Sequence, residues 1–255
     1  MPEIWEHPFA YAHLKIERAN KHIMDFEERI GTSPDAYPTT VKIDTKTGQH
    51  FLYYGRWDRT IRRDLALIAG DAIHNLHCAL DIAYCVTVRT LSPAGLHPTK
   101  AKFIIGNDRN HLETSLTKTA KIGADSPIFD FMVNGVKAYN GGDSDICTLH
   151  TLDIDDKHHL LIPVANIVSI DGVKVEDESG NIDIHTFAAT RPMFTHRIPV
   201  PFGSHIKNHG KVTIRITFGN GALTDDFEVV PTLKRFSWEV SRIVRTLQRM
   251  AHNVR

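Results

Sequence analysis

A chain of 255 residues, 42% of them hydrophobic, has enough apolar material to bury a sizeable core as one large domain or two small ones. Thirty Lys and Arg balance thirty Asp and Glu, which excludes a global field toward nucleic acid or an anionic membrane and leaves such binding to a local patch. The start, Met1-Pro2-Glu3-Ile4-Trp5-Glu6-His7, lacks the pattern of a secretory signal, and no run approaches the roughly 18 apolar residues of a membrane span, so a cytoplasmic protein without a membrane partner is expected.

In chain order, Ala10, Leu14, Ala19, Ile23 and Phe26 recur near helical spacing and predict a first helix over residues 8–30, stopped by Gly31. Residues 37–56 read as a β-hairpin turning at Thr45-Lys46-Thr47-Gly48. The most apolar helical pattern runs from Trp57 to about Thr90. Leu65, Ala72, Leu76, Ala79 and Leu80 form a wide apolar face, while His74, Cys78, Asp81 and Cys85 follow i, i+4, i+7, i+11 and make one narrow polar stripe. Such a helix is expected to be central.

After the break at Ser92-Pro93-Ala94-Gly95, the run Phe103-Ile104-Ile105 reads as a strand or a core-tucking loop. Asn107-Asp108 and Ser126-Pro127 cap two further helices, reaching about Ala120 and Lys137. Asp143-Ser144-Asp145 caps a helix that carries Ile146, Leu149, Leu152 and Leu160 and ends at Pro163. From about Leu161 the period becomes that of strands, over 164–170, 172–175, 182–187, 212–218 and 227–230. A basic loop is expected around His196-Arg197, His205, Lys207, His209 and Lys211. Residues 233–252 return to helix, with Arg235, Arg242, Arg245 and Arg249 opposite the apolar stripe.

Three cysteines, Cys78, Cys85 and Cys147, include no CxxC pair and read as reduced, buried thiols, whereas sixteen histidines point toward acid-base or metal chemistry. The histidines concentrate near acids in two places: around His74, Asn75, His77, Cys78 and Asp81, and again over Asp153, Asp155, Asp156, Lys157, His158 and His159. Two uses of these residues stay open. Asp81 could form a polar latch with Lys157 or His158 between two helices. His74, Asp81, Asp156 and His158 could supply mixed N/O ligands for zinc, manganese or iron in a metal-dependent hydrolase, with Lys157 beside them. No GxSxG, Walker or Rossmann pattern occurs.

The phrase His74-Asn75-Leu76-His77-Cys78-Ala79-Leu80-Asp81-Ile82, followed by Leu149-His150-Thr151-Leu152 and Asp156-Lys157-His158, resembles a widespread family of uncharacterised bacterial proteins. There the first phrase usually reads His-Asn-Leu-Arg-Ser-Ala-Leu-Asp-His and the second Leu-His-x-Leu-x-x-x-Asp-Lys-His. The resemblance covers roughly residues 8–163. The family's Arg-x4-His is similar to the signature of HEPN helical domains, many of them metal-independent ribonucleases or RNA-binding modules. In such enzymes the Arg stabilises phosphate charge and the His assists attack by the 2′-hydroxyl. Here His77 stands in the Arg position and Ile82 in the His position, so the signature is degenerate.

The expectation is therefore an α+β protein: a helical, HEPN-like core over 1–160 with a hairpin at 37–56, then an antiparallel sheet and a C-terminal helix over 161–255, packed as one unit. The resemblance implies a nucleic-acid-associated or interaction module with RNA as partner, Asn75 and His77 bordering a groove that binds phosphate or RNA. The alternatives are the metal-dependent hydrolase and a structural or regulatory protein that oligomerises, for example as a homodimer.

Overall fold

Amphipathic helices and alternating strands sort the chain into an α+β architecture, seen in a computed structural model that describes residues 8–31, 39–54, 59–91, 102–159, 163–188, 197–218 and 227–252. The long helices are α1 (Ala10–Gly31), α2 (Arg59–Leu91), α5 (Ser144–His158) and α6 (Val229–His252). Among the described residues, two short helices lie between α2 and α5. The first is α3 (Arg109–Thr114), capped by Asp108 and widening into a π turn at Ser115–Thr119. The second is α4 (Pro127–Asp130), capped by Ser126 and widening at Phe131–Val136. Asp108, Ser126 and Asp143 each accept backbone N–H groups that a helix start leaves without partners.

The chain divides into two compact units: Met1–Glu27, Ala66–Leu161 and Val230–Arg255 in one, Glu28–Leu65 and Ile162–Val229 in the other. The expected boundary at 160/161 followed the chain, whereas this grouping places α6 with the earlier helices and the hairpin with the later strands. The helix start at Trp57-Asp58, the residue Leu160 and the loop at Ser92-Pro93-Ala94-Gly95 lie outside the described residues.

In the helical unit the side-chain pairs fix the helix directions. His13 meets Gln248 at 2.8 Å, Asn20 meets Ser237 at 2.6 Å and Glu27 meets Lys234 at 2.6 Å, so α1 and α6 run antiparallel. The α2 helix touches the other three: Lys15 of α1 donates to Asn75, His74 meets Asp153 of α5, and the Thr87 hydroxyl lies 3.4 Å from the Leu247 carbonyl of α6. Its apolar face is fully buried at Leu65, Ala72, Leu76, Ala79 and Leu80, as a central helix requires. Phe103 packs edge-on against Tyr84, with ring centroids 5.9 Å apart, and its segment is the core-tucking loop of the two expected alternatives.

The Tyr84 hydroxyl is buried and has no hydrogen-bond partner among the described residues, and burial raises its pKa well above the usual phenol range. A buried donor without an acceptor forfeits its hydration without return. Tyr84→Phe is therefore expected to hold or raise stability, by up to about 1 kcal/mol, read from the urea midpoint. A fall of that size would reveal an acceptor for the hydroxyl.

The second unit holds two three-stranded antiparallel sheets, with strands β1 (Thr39–Ile43), β2 (His50–Tyr54), β3 (Pro163–Glu176), β4 (Ile182–Ala188), β5 (Arg197–Pro199) and β6 (His205–Phe218). One sheet has the order β1-β2-β5 and the other β4-β3-β6. Leu52, Ile198 and Val200 from the first share a core with Ile170, Val173 and Val175 from the second. The runs expected at 164–170 and 172–175 are one strand broken by a bulge at Gly172, where φ is 74°. Opposite it, Gly210 has φ 70° and no room for a Cβ, which would fall 2.6 Å from the Asp171 carbonyl oxygen.

Two expectations are corrected. The basic segment is largely strand over 197–211, His196 lying outside the described residues: β5 and β6 occupy it, Lys207 pairs with Glu176 at 2.6 Å, and His205 lies 3.1 Å from His50. Nor do residues 227–230 form a strand. Glu228 makes a single bridge to Thr217, and α6 begins at Val229. Pro231 fits the first helical turn because the N–H it lacks would have no intrahelical acceptor there.

Candidate functional site

Helical periodicity places the chemistry on the facing surfaces of α2 and α5. His74, His77, Cys78 and Asp81 lie within two turns of α2, and His150, Asp153, Asp156 and Lys157 lie within two turns of α5. The helices approach closely at Gly70, where a Cβ would sit 2.6 Å from the Asp156 carboxyl carbon. That contact explains a glycine inside a long helix, a position that otherwise costs about 1 kcal/mol in helix propensity.

The hub of the site is Asp153, only 1% exposed although it carries a carboxylate. His74 Nδ1 lies 3.0 Å from its Oδ1, Lys157 Nζ lies 2.5 Å from its Oδ2, and His77 Nδ1 lies 3.5 Å from Oδ2. Burial by itself pushes this carboxyl up, but the hydrogen bonds from Lys157 and His74 and the nearby His77 outweigh it and hold the pKa below the ordinary aspartate value. The group is thus ionised at neutral pH and can only accept protons in hydrogen bonds.

An acceptor-only carboxylate fixes the tautomers around it. His74 must donate through Nδ1, which in the neutral imidazole leaves Nε2 with a free lone pair, and Cys78 Sγ lies 3.4 Å from that Nε2. Burial raises the Cys78 pKa, so the thiol keeps its proton and can donate it to Nε2. Cys78, His74 and Asp153 therefore stand in line, linked through the two different nitrogens of one imidazole.

A second chain starts from the same carboxylate. His77 is buried, with Nδ1 toward Asp153 and, at 3.8 Å, toward Asp81, while its Nε2 lies 3.0 Å from His150 Nδ1. The ring centroids are 5.2 Å apart and the planes differ by 23°. That separation exceeds the N to N distance by about two ring radii, so the imidazoles meet edge to edge in a nearly common plane, as an in-plane hydrogen bond requires. Burial lowers the pKa of both histidines and favours their neutral forms, with Asp81 and Asp153 opposing this at His77.

The two motif segments thus meet, but through different residues from those expected. Asp81 does not latch Lys157 or His158: it accepts the Phe103 N–H at 2.8 Å, while Lys157 goes to Asp153 and His158 is exposed at the end of α5. Asn75 and His77, the expected RNA-binding residues, are buried and committed to Lys15 and Asp71 in one case and to His150 in the other. Among the described residues no group of three or more His, Cys, Asp or Glu is arranged to hold a metal ion. His74, Asp81, Asp156 and His158 accordingly have no ligand geometry behind them, since Asp153 is the carboxylate that meets His74.

The three cysteines are unpaired with one another and half-buried rather than fully buried. Asp153 and His150 were missed as site residues, although a signal existed. Ile146, Leu149 and Asp153 follow i, i+3, i+7, so the acid sits on the apolar stripe of α5. No helix among the described residues is long and apolar enough to cross a membrane. Comparison of the chain with protein-family models, curated proteins and solved structures finds no match.

Proposed function

We propose that the helical unit is a nucleic-acid-associated module of HEPN-like character whose ribonuclease signature is degenerate, and that it holds single-stranded RNA without cutting it. The observation that carries this reading is a stripe along α6. Trp238, Arg242, Arg245, Arg249 and His252 follow i, i+4, i+7, i+11, i+14 and line a groove of about 710 Å³. Trp238 is 67% exposed, a costly position for an indole unless something stacks on it. Arg242 is engaged by Glu239, leaving the exposed Arg245 and Arg249 to face solvent on the same side. An aromatic platform among cations suits single-stranded nucleic acid, where bases stack and phosphates meet guanidinium groups. The burial of His77, which takes the motif's Arg position, favours binding over cleavage.

Fluorescence anisotropy with a labelled single-stranded RNA tests this. Binding is expected at low salt and should weaken linearly in log-log form as salt rises. Trp238→Ala should cost about 1–3 kcal/mol with the salt slope unchanged, whereas Arg245→Ala should lower the slope by about 0.7. No RNA binding at low salt would refute the proposal.

A further inference from the structure

We propose that Cys78, His74 and Asp153 form a thiol acyl-transfer site, with Cys78 as nucleophile, His74 as its base and Asp153 as the positioning residue, acting on small activated acyl groups such as esters or thioesters. The proposal goes beyond RNA binding and does not depend on it, because its residues lie on α2 and α5 rather than on the α6 stripe.

The geometry has the three elements such chemistry needs. The nucleophile is within hydrogen-bond reach of the base at 3.4 Å, through Nε2. The base is oriented through its other nitrogen, Nδ1, by a buried carboxylate at 3.0 Å. The pair is also reachable: the His74 side chain is 49% exposed and Cys78 is half-buried. Nucleophile, base and orienting acid in that order define the triad by role rather than by sequence position. Among the described residues, no imidazole is hydrogen-bonded to Cys85 or Cys147 as His74 is to Cys78. Lys15 and Lys157 act on the Cys78 thiol electrostatically against Asp81 and Asp153, and the two lysines are the groups there that favour negative charge developing on a carbonyl oxygen beside the thiol.

The steps balance. His74 Nε2 takes the thiol proton as Sγ bonds to the acyl carbon, and the carbonyl π pair moves onto oxygen. When that pair returns, the bond from carbon to the leaving oxygen or sulfur breaks, and the departing group takes the proton from Nε2. A thioester on Cys78 remains. Water then gives a proton to Nε2 as it attacks the same carbon, the carbon–sulfur bond breaks, and Sγ recovers its proton from His74. The products are a carboxylic acid and the leaving alcohol or thiol. Because the thiol is protonated at rest, as its raised pKa indicates, the base acts during attack rather than before it.

The test uses p-nitrophenyl acetate with the full chain. A burst of p-nitrophenol and an acetyl adduct on Cys78, found by peptide mass spectrometry, are expected, with Cys85 and Cys147 unmodified. Cys78→Ala should abolish the burst. His74→Gln, at a half-exposed position that tolerates change, should slow acylation at least about tenfold, the low end of what a positioned base contributes. Imidazole ¹⁵N shifts add a readout that folding alone does not move. His74 should carry its proton on Nδ1 in the wild type and lose that preference in Asp153→Asn. The proposal is overturned if acetylation spreads evenly over the three cysteines, if His74→Gln acylates at the wild-type rate, or if His74 carries its proton on Nε2.

Discussion

Asp153→Ala is expected to destabilise the helical unit by about 2–3 kcal/mol, the largest effect of any single side-chain truncation at the site. Removing a buried carboxylate withdraws the shared acceptor of two donors, His74 and Lys157, and the negative charge beside His77, and the cost depends on which of these groups can turn to water. His74 and Lys157, each 49% exposed as side chains, can do so, and their share is discounted accordingly. His77, whose side chain is 9% exposed, has no such escape and adds to the loss as a buried imidazole left without its nearby carboxylate. The control is Glu27→Gln, which breaks the ion pair with Lys234 between side chains 56% and 41% exposed and should cost well under about 1 kcal/mol. Urea denaturation followed by circular dichroism compares the two. Equal losses would mean that Asp153 is no more than another surface carboxylate.

Acidification should weaken the fold in two separate stages. His77 has its pKa lowered from 6.5, by burial first, against the raising influence of Asp81 and Asp153. Between that lowered value and 6.5 the unfolded chain binds a proton that the native one does not, so stability is complete above pH 6.5 and falls as pH drops below it. The contribution from His77 alone cannot exceed about 1.4 kcal/mol per pH unit. His150, lowered by burial and by His77, acts in the same direction. Asp153 is lowered from 3.8, so its stabilisation persists through this range and is lost only as pH falls below 3.8 and through its native value. Urea midpoints measured from pH 7.5 to pH 5 should therefore decline, and the decline should be shallower in His77→Gln. A wild-type midpoint flat over that range would contradict the buried, neutral state of His77.

Much of this arrangement was legible in the residues themselves. The apolar spacing of α2 announced a central helix, and the caps Asp108, Ser126 and Asp143 announced three helix starts, because these signals are local and each residue's neighbours decide the outcome. Identity of partners was harder. Asp81, Asp153 and Asp156 are chemically alike, and choosing among them requires knowing the rotation of α5 about its axis. The stripe through Ile146 and Leu149 encodes that rotation, but the acids and histidines that follow obscure it. Val229 and Val230 misled for a different reason: β-branched residues favour strands in general, yet here the long amphipathic segment that follows draws them into its first turn. Trp238 escaped notice because an indole among helix-forming residues reads as core until its exposure is seen.

One carboxylate has two clients. Asp81 holds the backbone of Phe103 through one oxygen and stands near His77 through the other. The loop and the imidazole are consequently under common mutational control. A change at position 81 perturbs both at once, and a compensating change at either client alone restores only half of what was lost. Substitutions at 77 and 81 should for that reason show strong epistasis, whereas at 103, where the backbone N–H is the client, only proline should do so.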